Sequence, residues 1–246
     1  MPAPHKDRSL TLKDLEANRL LALLPREMRQ RLLPLVRLTS LKARQVLYEP
    51  NSPINTIYFP LGAVASELST MADGTTVEVA TIGKEGMVGV PVLLGGDAIS
   101  LHMIAQIPGP ALAIKREDFL ATINDGASGL PPILLRYIQA LLTQIAQQSA
   151  CNRSHLIAQR CARWILMTHD RAGKAEFPLT HEFLAYMLGA RRASVSIAAR
   201  TLAKAGLISY TRGSIHVLNR RRLEKASCEC YGVIKGEYDR LLSSGR

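Results

Sequence analysis

The residues with the clearest potential for chemistry lie in residues 188–210, LGARRASVSIAARTLAKAGLISY. This stretch holds four cations and no carboxylate: Arg191, Arg192, Arg200 and Lys204. Arginine binds phosphate and the edge of guanine through paired hydrogen bonds, and lysine binds phosphate as a point charge. A helix that faces only solvent usually mixes both signs of charge to gain ion pairs. The stretch therefore indicates contact with an anionic partner.

The positive charge of the chain is concentrated towards its C-terminal end. The 246 residues carry a formal net charge of +11. Residues 171–246 hold 14 lysines and arginines against 6 acids, whereas residues 1–170 hold 17 against 14. Such a surface is typical of nucleic-acid binding, and a solvated basic surface is the alternative. No apolar run reaches the ~18 residues of a membrane span and no signal peptide is present, so we expect a cytoplasmic protein without a membrane partner.

The cysteines do not predict a metal site. Cys151, Cys161, Cys228 and Cys230 form no C-x-x-C pair and lack the spacing of a zinc ribbon. Cys228 and Cys230 are too close in sequence for an easy disulfide. We interpret all four as reduced intracellular thiols, with redox sensing by Cys228 and Cys230 as the alternative.

Catalytic motifs are also missing from the sequence. There is no Walker loop, no G-x-S-x-G and no H-E-x-x-H. Glu117 and Asp118 are adjacent, and neighbours on a helix do not face each other. We therefore predict no catalytic residues and no enzymatic activity.

The first half of the chain has the composition of a β-structure. After a helical lead-in over residues 12–35, residues 39–114 are rich in Val, Ile, Thr and Tyr, with Gly, Pro, Asn and Asp between short runs. Asp73-Gly74 predicts a hairpin between residues 65–71 and 75–82. This spacing of strands favours a sandwich or barrel.

A long helix follows, beginning near Pro131 and Pro132. Its apolar positions are spaced by four, three, four and three residues, as in a coiled-coil seam. We predict that this seam pairs with a second copy of the chain, and packing within the same chain is the alternative. A second helix is predicted over residues 156–168, with Trp164 in the core. The predicted dimerisation residues are Leu134, Ile138, Leu141, Ile145 and Gln148.

Two short helices joined at Gly189 are predicted next. Thr180 suits the N-cap of the first helix, and Gly189 can end it with a left-handed backbone. On a helical wheel, Val195, Ala198, Leu202 and Ala205 of the second helix face inward. The outward face consists of Arg192, Ala193, Ser196, Ile197, Arg200 and Lys204.

This arrangement predicts a helix-turn-helix followed by a β-hairpin wing. Arg200, Lys204 and, at the tip of the wing, Arg212 are expected to contact phosphate. Ile197 either contacts a thymine methyl group or is incidentally exposed. The predicted DNA-binding residues are Thr180, Arg191, Arg192, Ser194, Ser196, Ile197, Arg200, Lys204 and Arg212.

The order of these regions resembles the CRP/FNR family of bacterial transcription regulators. The most specific part is LTHEFLAYMLGARRASVSIAARTLAKAGLI, and NTIYFPLGAV and ATIGKEGMVGVPVLLGG resemble the β-roll strand pair and the glycine-rich region before the effector pocket. The resemblance implies an α+β fold with three parts. An N-terminal β-roll (double-stranded β-helix or jelly roll) would span residues 1–130, a dimerisation helix and connecting helix 131–171, and a winged helix-turn-helix with a helical tail 172–246.

The resemblance also implies a homodimer that places two recognition helices in successive major grooves of a palindromic site. Arg192 matches the family's usual guanine-contacting arginine, and Arg191 and Ser194 fall near phosphate-contacting positions. Ala193 stands where the family often has glutamate, and Ile197 where it often has arginine, so we expect another DNA sequence to be read. The expected partners are double-stranded DNA, a second copy of the chain and RNA polymerase.

The family's cofactors are not expected here. Nucleotide-binding members have a Gly-Glu pair and a later arginine, whereas this chain has Gly89-Val90 and AISLHMIAQ. A buried phosphate without a cation is costly, so we expect no cAMP. No cysteine precedes Cys151, which disfavours an iron–sulfur cluster, and a lone His102 beside Met103 does not predict haem.

The effector is left open, and we expect it to act by changing the spacing of the two recognition helices. The alternative function is a ligand-sensing β-roll whose helix-turn-helix binds protein instead of DNA. The unpaired arginines disfavour that alternative.

Overall fold

The computed structural model describes residues 10–124, 131–211 and 213–243. Its first part is a β-domain preceded by three short helices; a fourth helix lies between two of the strands, and a fifth follows the last strand. The helices are α1 (Leu12–Glu16), α2 (Arg19–Ala22), α3 (Arg26–Leu32), α4 (Val90–Leu93) and α5 (Arg116–Asn124). The strands are β1 (Arg37–Leu41), β2 (Val46–Tyr48), β3 (Thr56–Pro60), β4 (Val64–Thr70), β5 (Thr76–Ile82), β6 (His102–Ile107) and β7 (Gly109–Lys115).

These strands form two antiparallel sheets, in the orders β1-β7-β3 and β2-β6-β4-β5. The predicted hairpin is confirmed: β4 and β5 pair from Thr70 and Thr76 outward, and Gly74 in the turn has a φ of 83°. Asp73 Oδ1 accepts a hydrogen bond from the backbone N–H of Thr75 at 2.9 Å, as is common in such turns. The apolar faces of the two sheets and the long helix that follows share one core.

The second part consists of helices α6 (Pro132–Ser154) and α7 (Ile157–Ala172). The predicted start at Pro132 is confirmed, and α6 ends because His155 has an extended backbone, with φ −109° and ψ 149°. Trp164 on α7 is buried, as predicted. The third part contains β8 (Glu176–Pro178), α8 (His181–Leu188), α9 (Arg192–Lys204), β9 (Ile208–Thr211), β10 (Ser214–Val217), α10 (Arg220–Ala226) and α11 (Cys230–Leu241).

The predicted dimerisation seam on α6 is wrong in its orientation. Four of its five members are buried within their own chain: Leu134, Ile138, Leu141 and Gln148. The fifth, Ile145, is half-buried. Helix α6 packs against both β5 and the C-terminal helix α11 of its own chain. The residues that α6 exposes instead include Leu135 and Leu142, at 52% and 61% exposure. A four-three repeat fixes which residues share a face and does not say which partner covers it.

The β-domain and the third part are in direct contact. Helix α8 packs against β5, and the guanidinium of Arg44 lies 5.5 Å from the centre of the Phe183 ring. Below this contact, Trp164 Nε1 donates to Glu78 Oε1 at 3.0 Å, and Ser66 Oγ donates to Glu78 Oε2 at 2.7 Å. The β-domain is thus joined to α7 by buried polar groups that have partners.

Among the described helices, none combines the length and the hydropathy that crossing a bilayer requires.

Candidate nucleic-acid interface

The local sequence sets the geometry of α8 and the turn that follows it. Thr180 caps α8, since its Oγ1 accepts a hydrogen bond from the backbone N–H of Phe183 at 3.0 Å. Gly189 ends the helix with φ 55° and ψ 44°, a left-handed conformation that most other residues adopt at a cost. Both sequence predictions for this helix are confirmed. The next helix, α9, begins two residues beyond Ala190, with Arg191 as its N-cap.

Helix α9 buries one face and exposes the other. Val195, Ala198 and Leu202 are buried against α7 and α8, as predicted. The prediction for Ala205 is wrong: it is exposed, because the helix has ended at Lys204 and the regular rotation of side chains ends with it. Ala199 is buried instead. The hydrophobic contacts on this face hold α9 across α8 and leave its other face open.

The open face carries the predicted basic residues. Arg191 and Arg192 at its start and Arg200 and Lys204 further along are exposed. In residues 10–124, 131–211 and 213–243, none of these four forms an ion pair with a carboxylate. Arg200 Nε donates only to its own helix, to the carbonyl oxygen of Ser196 at 3.2 Å. The face therefore has uncompensated positive charge for an external anion.

The small and apolar residues on α9 occupy intermediate positions. Ile197 is 61% exposed and lies between the arginines, where it would meet whatever the helix contacts. Ser194 is half-buried. Ser196, also half-buried, shares a hydrogen bond with His181 Nδ1 at 3.2 Å. Its hydroxyl therefore already has a partner on α8 before any ligand binds.

Sequence reasoning missed His181, the first residue of α8. Its ring lies 4.3 Å from that of Tyr210 on β9, so it links both helices to the wing. Its pKa is lowered by burial and by the positive charges of Arg200 and Arg192. A histidine directly after an N-cap carries no special signal in the sequence, which is why only the packing of the three elements reveals it.

The wing is present as predicted, with β9 and β10 paired antiparallel from Thr211 and Ser214. The third strand of this sheet, β8, was not predicted, and it pairs with β10 through Phe177 and Ile215. Arg212, predicted at the tip of the wing, lies outside the described residues. Its neighbour Gly213 has φ 82°, the left-handed backbone that the turn requires.

All four cysteines are free thiols, and three of them lie closer together than the sequence indicated. Three of them, Cys151, Cys228 and Cys230, come together in one buried cluster beside His155, although no sequence spacing indicated it. Cys161 lies outside that cluster, and burial raises the pKa of its thiol to about 12.

Two protein-family models match the chain. The model of the cyclic nucleotide-binding domain matches residues 38–125, and that of the Crp-like helix-turn-helix domain matches residues 159–226. Together they match more than half of the sequence, in the order that the fold shows. The chain belongs to the CRP/FNR family of transcription regulators. As a CRP/FNR protein it carries a helix-turn-helix DNA-binding domain.

Solved CRP/FNR structures share the fold at low sequence identity. FixK2 from Bradyrhizobium japonicum matches with a TM-score of 0.65 at 18% identity, over 78% of this chain and 98% of that one. The CRP-family regulator TTHB099 from Thermus thermophilus matches with 0.62 at 16%, over 77% and 96%. The c-di-GMP responsive regulator CLP from Xanthomonas campestris matches with 0.60 at 14%, over 78% and 99%. Among curated proteins, none matches the sequence.

Proposed function

We propose that the chain is a homodimeric regulator that binds a palindromic DNA site through α9, under the control of an effector other than a cyclic nucleotide. The observation that carries the proposal is the open basic face of α9. Its cations have no carboxylate partner in the described residues, while its opposite face is anchored by Val195 and Leu202. A rigid helix with unpaired arginines at its N-terminal end suits insertion into the major groove.

Arg192 is assigned the role of reading a base, because it is exposed in the first turn of α9. Arg200 and Lys204 lie further along the same face and are assigned to phosphate. A bidentate arginine–guanine contact contributes roughly 1–3 kcal/mol of discrimination per base pair. Since a palindromic site contains the contact twice, its loss from a dimer costs roughly twice that amount.

The test begins with selection of bound sequences from a random DNA pool. Arg192→Ala is then measured on the selected site and on a site altered at the contacted base pair, and we expect it to bind both about equally. Arg26→Ala on α3 is the control, because it removes the same charge from an exposed position outside the helix-turn-helix. Full discrimination by Arg192→Ala would refute the assignment.

The roles of Arg200 and Lys204 are tested by the salt dependence of binding. Each phosphate contact adds about one to the slope of log affinity against log salt concentration. We expect Arg200→Ala and Lys204→Ala to reduce this slope and to weaken binding on all sequences alike. An unchanged slope in both variants would argue against phosphate contacts.

The dimer is proposed to use the outer side of α6. Leu135 and Leu142 are seven residues apart, so they lie on one stripe, and both are exposed. The exposed residues Gln139 and Ala146 continue that stripe. We expect Leu142→Glu to convert the dimer to a monomer in light-scattering measurements, whereas Leu94→Glu, at an exposed leucine on the β-domain, leaves it unchanged.

An effector other than a cyclic nucleotide is supported by the absence of arginine from β6 and the segment before it, residues 94–107. The buried cation Arg171 on α7 already has partners in Glu85, at 2.8 Å, and Gln144, at 2.6 Å. A cyclic phosphate bound against residues 94–107 would therefore have no arginine of that segment to neutralise it. Isothermal titration with cAMP and cGMP tests this, and binding of either at micromolar concentration would overturn it.

A further inference from the structure

A cluster of three thiols and one imidazole joins the long helix to the segment after the wing. Cys151 lies in the last turn of α6 and His155 directly follows that helix. Cys228 lies between α10 and α11, and Cys230 begins α11. One donor atom from each residue can be chosen so that all four lie within 4.8 Å of one another.

We propose that Cys151, His155, Cys228 and Cys230 form a tetrahedral binding site for a single Zn²⁺ ion. Three sulfurs and one imidazole nitrogen form one of the common ligand sets of structural zinc. Soft thiolates combined with imidazole favour Zn²⁺ over Mg²⁺ and Ca²⁺, which prefer oxygen. The proposal does not depend on DNA binding.

The distances agree with one central ion. With a Zn–S bond of about 2.3 Å, two sulfurs of a tetrahedral site lie about 3.8 Å apart, and a sulfur and an imidazole nitrogen lie about 3.5 Å apart. Cys151 Sγ and Cys228 Sγ are separated by 3.5 Å, and Cys230 Sγ and His155 Nδ1 by 3.6 Å. Small adjustments of side chains would complete the coordination.

The groups around the cluster are those that orient zinc ligands. His155 Nε2 lies 3.1 Å from Glu229 Oε1, where the carboxylate would accept a hydrogen bond from Nε2–H. That tautomer leaves the lone pair of Nδ1, which lies 3.6 Å from Cys230 Sγ, for a metal. A carboxylate behind a ligating histidine is a common outer contact of zinc sites. Gln147 Nε2 donates to Cys230 Sγ at 3.1 Å, a hydrogen bond that a metal-bound sulfur can also accept.

The charges nearby fit the same ligand set. Three thiolates and one Zn²⁺ leave a net charge of −1, and a buried net charge needs a counter-ion. Arg163 on α7 is buried, and its Nη1 donates to Gln148 Oε1 at 3.2 Å, within one helical turn of Cys151 on α6. Its Nε and Nη2 atoms have no hydrogen-bond partner among the described residues, so this guanidinium has capacity left for a neighbouring anion.

The position of the site gives it a structural consequence. Cys151 and Cys228 lie 77 residues apart in the sequence, and His155 and Cys230 lie 75 apart. The segment between them carries α7, α8, α9 and the wing. A bound ion would tie the two ends of this DNA-binding segment to each other and to the end of α6. The site would thereby fix α11 against the long helix.

The first test measures metal in the full chain. We expect one zinc per chain by elemental analysis of protein purified under reducing conditions. After removal of zinc by a chelator, Co²⁺ should bind one equivalent, with the intense visible bands of a tetrahedral ion and the near-ultraviolet band of thiolate ligation. Absence of zinc together with no tetrahedral Co²⁺ spectrum would overturn the proposal.

Variants show which residues hold the ion. We expect Cys228→Ser and His155→Gln to weaken Co²⁺ binding at least about 100-fold, since each removes a ligand, and Glu229→Gln to weaken it about 10- to 100-fold. Glu229 is exposed, so its replacement does not threaten the fold. Cys161→Ala is the matched control, because it removes a buried thiol outside the cluster and should bind one equivalent normally.

Two results would contradict the site. Equal Co²⁺ affinity in Cys228→Ser and Cys161→Ala would show that the cluster does not hold the ion. The other is a disulfide between Cys151 and Cys228 in protein kept under reducing conditions, seen as a loss of two hydrogens by mass spectrometry. That bond would use two of the four ligands and would show that the sulfurs approach each other for oxidation.

Discussion

Glu78 offers a direct test of how the β-domain is joined to α7. The carboxyl group lies on β5 with 1% of the residue exposed, and it accepts hydrogen bonds from Trp164 and Ser66. Burial raises its pKa to about 7, although the hydrogen bond from Ser66 and the charges of Arg163 and Arg171 act in the opposite direction. The perturbation that we consider is Glu78→Gln, which keeps the shape and the acceptor for Trp164 and removes the titration.

The sign follows from the two states of the chain. Between pH 4.5 and about 7, folded Glu78 keeps a proton that the unfolded chain releases. The free energy of unfolding therefore falls as pH rises through this interval and levels off above it. At ~1.36 kcal/mol per pKa unit, the cost in the wild type reaches roughly 3 kcal/mol. Since the variant has no such cost, its stability relative to the wild type should rise by up to that amount between pH 5 and pH 8.

Trp164 is the only tryptophan of the chain and contacts Glu78 directly, so its fluorescence is the natural probe. Urea unfolding of the wild type and of Glu78→Gln is measured at several pH values between 5 and 8. Glu67 on β4 is the matched control, because burial also raises its pKa to about 7 and its carboxyl has no described bond to α7. In the folded wild type, we expect Trp164 emission to change near pH 7 as Glu78 ionises. Glu67→Gln should change the pH dependence of stability and should leave this change in emission in place.

The reasoning would be refuted if the stabilities of the wild type and Glu78→Gln ran parallel across this pH range. It would also be refuted if Trp164 emission still titrated near pH 7 in Glu78→Gln. The first result would mean that Glu78 is ionised in the folded protein throughout, with the two arginines compensating for its burial. The second would mean that a group other than Glu78 causes the titration of Trp164.

Other parts of the structure yield further predictions. Gly189→Ala places a Cβ 3.1 Å from Val77 at φ 55°, whereas the Cβ of Gly206→Ala at φ 68° meets nothing within 4 Å. Because both positions have a left-handed backbone, we expect each variant to lose roughly 1–2 kcal/mol of unfolding free energy in chemical unfolding, and Gly189→Ala to lose more. Thr180→Ala removes the N-cap bond and should cost ~1 kcal/mol, with Thr180→Ser retaining most of it, by the same measurement. The pKa of His181, lowered in the free protein, should rise when DNA neutralises the adjacent arginines, so DNA binding should take up a proton and strengthen as pH falls through the pKa in the complex. NMR titration of the imidazole checks this, and an equal pKa in both states would contradict it.

The DNA-binding half could be read from the sequence because its signals are local. The cap at Thr180, the left-handed Gly189 and the spacing of Val195 and Leu202 each act within a few residues, and each has the structural role that was predicted. The unpaired charges of α9 also follow from the sequence, since no acid is close enough along the helix to neutralise them. The Asp73-Gly74 hairpin has the same origin, because its turn fixes the pairing of β4 and β5.

Contacts between distant segments were decided only by the tertiary structure. The repeat on α6 identified one face correctly, but that face is buried within its own chain, where α6 packs against β5 and α11, and periodicity does not distinguish an internal partner from a second copy. Cys151 and Cys228 are 77 residues apart, and they meet because α10 and α11 turn the chain back onto the end of α6. Local pattern reflects the conformational preferences of a few neighbouring residues, whereas these meetings depend on how whole helices pack.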